Sequence, residues 1–149
     1  MYQRSLRPSR LVCAVGAALC VVAACRGPRP AGVEDLATHE TLPQFKLDSL
    51  RGTRDGDRLE ARAMFTDTSS MLTIELHYAI GSPVSLASGT WHWTRNNQLM
   101  TGSVAARSID FLGGQSGPPS IGGNYDLLDG KGAAVYRVHL PVTELKSKL

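Results

Sequence analysis

At 149 residues the chain is long enough for one domain with a genuine core, and 42 % of its residues are hydrophobic against 19 % charged. The formal charge of +3 says little about partners: Arg4, Arg7 and Arg10 open the chain, all 13 acidic residues follow Cys25, and the 13 remaining Lys and Arg balance them. That neutrality, and the lack of a Lys/Arg cluster interleaved with aromatics, argue against a nucleic-acid partner.

The basic opening carries no acid and is followed by an uncharged stretch from Leu11 to Ala24, as in an export signal. At ~1.5 Å per residue the stretch would reach roughly 21 Å as a helix, short of the ~30 Å hydrocarbon core, so a spanning helix is the weaker reading. Its end, Val22-Ala23-Ala24-Cys25, resembles the lipobox of bacterial lipoproteins: an aliphatic residue, two small residues, then cysteine. Val22 stands where the family usually has Leu. Cys20 competes poorly, because Leu19 is too large for the cleavage position.

The resemblance covers the first 25 residues only. It implies removal of a signal peptide, residues 1–24, diacylglycerol on the Cys25 sulfur, and acylation of the new amino terminus. Each buried CH₂ of such an anchor contributes about 0.8 kcal/mol, so several chains together release very slowly. In enterobacterial lipoproteins an Asp after the cysteine favours the inner membrane. Arg26 is not that signal, and the resemblance then implies the outer membrane, facing the periplasm. Cys13 and Cys20 would leave with the signal and Cys25 would carry lipid, so no disulfide is left to brace the domain.

Residues 25–41 read as the lipidated cysteine and a flexible tether, with Gly27, Pro28, Pro30 and Gly32 and few large apolar residues. A random coil of that length has an r.m.s. reach of roughly 20–24 Å. From Leu42 onward the period is two. Phe45 and Leu47 suggest a strand, ended by Arg51-Gly52-Thr53-Arg54-Asp55-Gly56-Asp57. Leu59, Ala61, Ala63 and Phe65 alternate with polar residues, as do Leu72, Ile74, Leu76, Tyr78 and Ile80, and the turn-rich segment between them predicts a hairpin.

A second hairpin is predicted around Asn96-Asn97, because Asn tolerates the positive φ of a two-residue turn. It pairs Arg95 with Gln98, Trp93 with Met100 and Trp91 with Gly102 on one face, and Thr94 with Leu99, His92 with Thr101 and Thr90 with Ser103 on the other. Trp91 would lie over the bare backbone of Gly102, the arrangement called aromatic rescue. Val84 and Leu86 have the wrong parity for this face; a bulge near Ser88-Gly89, or a new strand beginning there, would restore the sorting. A last hairpin would turn at Asp129-Gly130-Lys131-Gly132, pairing Tyr125 with Tyr136 and Leu127 with Ala134, and stop at Pro141.

Seven or eight such strands and no helical pattern predict an all-β domain over residues 42–149. The leading architecture is an antiparallel β-sandwich of immunoglobulin-like size, and a small antiparallel β-barrel is the alternative. The closing Gly-Asn-Tyr-Asp-Leu and Tyr-Arg-Val-His-Leu-Pro segments are similar to the last hairpin of bacterial immunoglobulin-like domains, a likeness over about 20 residues that carries no functional residue.

Two features are candidates for a binding surface. Trp91 and Trp93, two apart on one strand, suit a core, and if exposed would form a strip for sugars, peptides or lipid. The long loop from Leu112 to Gly123 includes Gly113, Gly114, Gln115, Ser116 and Gly117; it lacks the Lys-Ser/Thr of a phosphate loop, and Ser116 lacks the Gly-x-Ser-x-Gly elbow. His77, His92 and His139 fall on the wet parity of their strands, no pair of histidines has ligand spacing, and Asp55-Gly56-Asp57 lacks the other ligands of a calcium loop. No catalytic residue, metal or cofactor is therefore assigned.

The reading that follows is a non-enzymatic, lipid-anchored recognition or scaffolding module of the cell envelope, held to the membrane by Cys25 and working with an envelope protein partner. A small-ligand binder with a pocket lined by Trp91 and Trp93 is the second reading. An anchored hydrolase, with His92 or His77 hydrogen-bonded to a serine in a cleft, is the third.

Overall fold

The two-residue alternation becomes strand throughout. A computed structural model describes residues 28–113 and 117–146, and every named element in it is a strand. These are β1 (Gly32–Asp35), β2 (Glu40–Thr41), β3 (Lys46–Asp55), β4 (Arg58–Thr66), β5 (Ser70–Ala79), β6 (Ser85–Arg95), β7 (Gln98–Leu112), β8 (Ser120–Leu128) and β9 (Ala134–Glu144). They form one antiparallel sheet in the order β2-β1-β9-β8-β7-β6-β5-β4-β3.

A single sheet has one apolar face to hide and no second sheet to hide it, so it curls into a half-barrel. The hydroxyl of Tyr78 on β5 donates to that of Tyr125 on β8 at 2.9 Å. Three ladder spacings, roughly 14 Å, separate those strands in a flat sheet. At the far edge, the Gly52 N–H of β3 donates to the Lys146 carbonyl just beyond β9 at 3.2 Å. Inside lie the alternating residues named from sequence: Leu59, Ala61, Ala63 and Phe65 from β4, and Leu72, Ile74, Leu76 and Tyr78 from β5, all buried.

The Asn96-Asn97 hairpin forms in the expected register, from Arg95↔Gln98 to Thr90↔Ser103, with both asparagines at positive φ. The β4–β5 hairpin forms too, its turn closed by the Asp67 carboxylate, which accepts the Ser69 and Ser70 N–H at 2.6 and 2.8 Å. Those bonds hold the Asp67 carboxyl below its ordinary range. The parity break is a bulge at Ala87: Ser88 faces His77 and Leu86 faces Tyr78.

Four expectations need correction. The sheet starts at Gly32, not Leu42. Residues read as tether form β1 and β2, because backbone pairing with β9 and one fully buried side chain, Val33, suffice for an edge strand. The strand at Phe45 does not end at Arg51 but runs through Gly52 to Asp55. Leu145 packs where a Gly52 side chain would stand, so this glycine marks close packing rather than a turn.

The last hairpin is displaced by two residues. Tyr125 pairs with Val138 and Leu127 with Tyr136, since the Asp129 carboxylate accepts the Lys131 and Ala133 N–H groups and lengthens the loop by one residue, with a bulge at Leu127/Leu128 supplying the other. A shift of two keeps every side chain on its face. Finally, Pro141 does not end the ladder. β9 bulges past Gly122, whose missing Cβ leaves room for the Val142 backbone, and Thr143 and Glu144 pair again.

The two buried phenols form a directed relay, because Tyr125 accepts from Tyr78 and donates to the Gly122 carbonyl at 2.9 Å. Tyr125→Phe removes both bonds and strands the Tyr78 hydroxyl, whereas Tyr78→Phe removes one. We expect chemical denaturation to show a loss of about 2–3 kcal/mol for the first and about 1 kcal/mol for the second. Burial pushes the Tyr125 phenol up to about 12 and raises Tyr78 as well. A folded-state pKa above the unfolded value near ~10 means this stability is complete below pH ~10 and is lost as pH rises from there through about 12, a slope that Tyr78→Phe should flatten.

Candidate functional site

Trp91 and Trp93 point inward from β6 and are each 2 % exposed. Trp91 crosses β7 over Gly102, where an added Cβ would collide with the indole nitrogen and the Leu128 carbonyl, and its Nε1–H donates to that carbonyl at 2.8 Å. Trp93 is met edge-on by Phe45 at 5.0 Å and by Tyr136 at 5.1 Å, with the Arg95 guanidinium 5.9 Å from its centroid. These residues are core. They form no exposed strip, and Phe45 and Tyr136 fill the space that a ligand against Trp93 would need.

Trp93 Nε1 is buried without a hydrogen-bond partner among the described residues, unlike Trp91 Nε1. Replacing each by Phe removes similar apolar volume, but only Trp91→Phe breaks a hydrogen bond. We expect Trp91→Phe to lower unfolding free energy by about 1–2 kcal/mol more than Trp93→Phe, measured by urea titration.

Of the glycine-rich loop, Gly113 and Gly117 are described, while Gly114, Gln115 and Ser116 lie outside the described residues, as does Cys25. The loop's ends are pinned: Pro119 stands against Gly113, and the Pro119 carbonyl accepts the Leu145 N–H at 2.9 Å.

The histidines do not converge. On the outer face His77 lies in one cross-strand row between Glu60 and Ser88, and His92 between Thr73 and Thr101. Glu60-His77-Ser88 has the residue types of acyl-transfer chemistry, yet His77 Nδ1 is 3.6 Å from Glu60 Oε1 and no hydrogen bond joins His77 to Ser88. His139 bridges instead: its ring nitrogens meet Asn124 Oδ1 at 3.1 Å and the Arg29 carbonyl at 3.2 Å, which fastens the chain ahead of β1 to the sheet. His39, largely exposed, lies 3.6 Å from Glu34. Among the described residues, no three His, Cys, Asp or Glu are grouped to hold a metal ion.

Two features of the outer face were not found from sequence. Asp126 of β8, almost buried, accepts Arg137 Nε–H at 2.8 Å and an Arg107 N–H at 3.3 Å. The bond to Asp126 holds the Arg137 guanidinium above its ordinary range. Beside this cluster the sheet splits. β6 and β7 are paired only from Thr90↔Ser103 to the turn. Beyond that, Ser85–Ser88 stay with β5, and the rest of β7 stays with β8. The slot between them is an opening of about 460 Å³ bordered by Leu86, Ser88, Ala106, Arg107, Ser108 and Ile109. The parity break at Ser88-Gly89 was the sequence signal of this departure, since a bulged strand bends away from its neighbour.

Among the described residues no helix is long and apolar enough to cross a membrane. No protein-family model, curated protein or solved structure matches the chain.

Proposed function

We propose that this chain is a lipid-anchored protein of the cell envelope whose curled sheet is a non-enzymatic recognition or scaffolding module, held by acyl chains on Cys25 on the periplasmic face of the outer membrane. The observation that carries the reading is the segment Val22-Ala23-Ala24-Cys25, closing an apolar run behind three arginines. The fold adds a constraint. With Arg29 held by His139, only three residues, Arg26 to Pro28, lie between the lipidated position and the first point fastened to the sheet. Fully extended, the four Cα-to-Cα steps from Cys25 to Arg29 span at most about 14 Å. The module therefore sits against the membrane, with its β1–β9 side nearest, rather than swinging on a long tether.

We read the half-barrel as two walls, β3 to β6 and β7 to β9, that face each other as the layers of an immunoglobulin-like sandwich do and are joined where β6 pairs with β7. The buried cross-wall contacts Tyr78–Tyr125 and Trp93–Tyr136 support this.

Cys25→Ser tests the anchor. The wild-type protein is expected in the membrane fraction, with a tryptic N-terminal peptide heavier by a diacylglycerol and an amide-linked acyl group. The variant is expected to keep its leader or to appear in the soluble fraction. Unmodified Cys25 in membrane-bound protein would refute the anchor.

A further inference from the structure

The slot between β6 and β7 is bounded by two strand edges that face each other without bonding. Its hydrogen-bonding pattern follows from the Asn96-Asn97 turn. A two-residue turn makes Arg95 and Gln98 a bonded pair, so Gln98, Met100 and Gly102 direct their N–H and C=O groups at β6, while the residues between them serve β8. The same alternation aims the backbone groups of Val104 and Ala106 at β6. There the Val104 N–H meets the Gly89 carbonyl, the last bond of the ladder that ends at Thr90↔Ser103, and Ala106, beyond it, has no partner residue on β6. At the slot's closed end the Val104 side chain takes the space that a Gly89 side chain would fill.

The other edges of the sheet are guarded. β2 has two residues, and β3 carries Lys46, Asp48, Arg51 and Asp55 and is met by Lys146. Short and charged edges of this kind resist strand addition. The slot border is different: it is small and neutral, with Ser85, Ala87, Ser88 and Ala106, and Arg107 is its one ionisable residue. Arg107 is more than half exposed, and it shares Asp126 with Arg137, which holds the shorter bond. It thus has donors to spare at the rim. From Val104 to Ile109 the β7 border spans roughly 20 Å, the length of a six-residue strand.

We propose that the slot receives an extended segment of a partner protein, which adds as a strand beside Ala106, past the last bonded pair of β6 and β7, and sets a carboxylate against Arg107. This deepens the recognition reading and rests on it. Backbone bonds would supply the attachment, and the acidic residue would fix register.

The test is a random heptapeptide library displayed on phage and panned against the protein purified in the form in which it accumulates. Enriched peptides are expected to share one Asp or Glu among β-branched residues, and synthetic copies should bind. Arg107→Glu should weaken that binding by about ten-fold or more, and exchanging the peptide's acid for Lys should restore it to the variant. Ala106→Pro, which removes a slot-facing N–H, should abolish binding; if that variant does not fold, the Arg107 exchange still decides. Failure to enrich any acidic peptide, or equal affinity for Arg107→Glu, would overturn the proposal. A concentration-dependent dimer that excludes the peptide would also overturn it, by placing a second copy in the slot. Lipid on Cys25 is read independently by mass, so either result leaves the other claim standing.

Discussion

The fold depends on the indole of Trp91 lying over the bare backbone of Gly102 and bonding the Leu128 carbonyl. That one side chain starts on β6, crosses β7 and ends on β8. It fastens three consecutive strands of the curled sheet. The Tyr78–Tyr125 relay and the Trp93–Tyr136 edge likewise join strands of the curled sheet that are not neighbours in its ladder. No cysteine lies among the described residues, so there this packing carries the load without a covalent brace.

The same fastening accounts for the slot. Thr90–Arg95 and Gln98–Ser103 are zipped together, and beyond them β6 stays with β5 and β7 with β8. The bulges at Ala87 and at Arg107 lie on the two sides of the opening, and a bulge bends the strand that carries it. The wet face nearby is stiffened by Asp126 between two arginines and by the Ser108-Asn124-His139 chain, which reaches Arg29. The sheet's interior is filled and its outer edges are short or charged, whereas the β6–β7 border beyond the Thr90↔Ser103 ladder is unpaired.

Much of this was legible in the residues. The Asn96-Asn97 register, the β4–β5 hairpin, the bulge before Gly89 and the rescue of Gly102 by Trp91 all follow from local rules: turn chemistry, alternation and parity. The errors came where long-range packing overrode them. Gly52 reads as a turn because Leu145, its reason for being small, is 93 residues away. Gly32–Thr41 reads as a tether because an edge strand needs only one buried residue, Val33, and a neighbour's backbone. The register of the last hairpin turned on one carboxylate, Asp129, capping its own loop. A continuous sheet curled on itself has the same strand pattern as two stacked sheets, so alternation alone does not separate them. Of the site, the tryptophans and histidines were named by residue type, but the slot's border, Arg107 apart, is Ser, Ala, Val, Leu and Ile, whose side chains announce nothing; it exists in what their backbones do not pair with.

Residue-resolved amide hydrogen exchange measures that difference directly. The Gly102 N–H, bonded to β6 beneath Trp91, should exchange orders of magnitude more slowly than the Ala106 N–H, which faces the open slot four residues further along the same strand. Equal protection at both positions would mean that β6 and β7 are zipped along their length, and an unprotected Gly102 would mean that the fastening does not hold; either result would contradict the account.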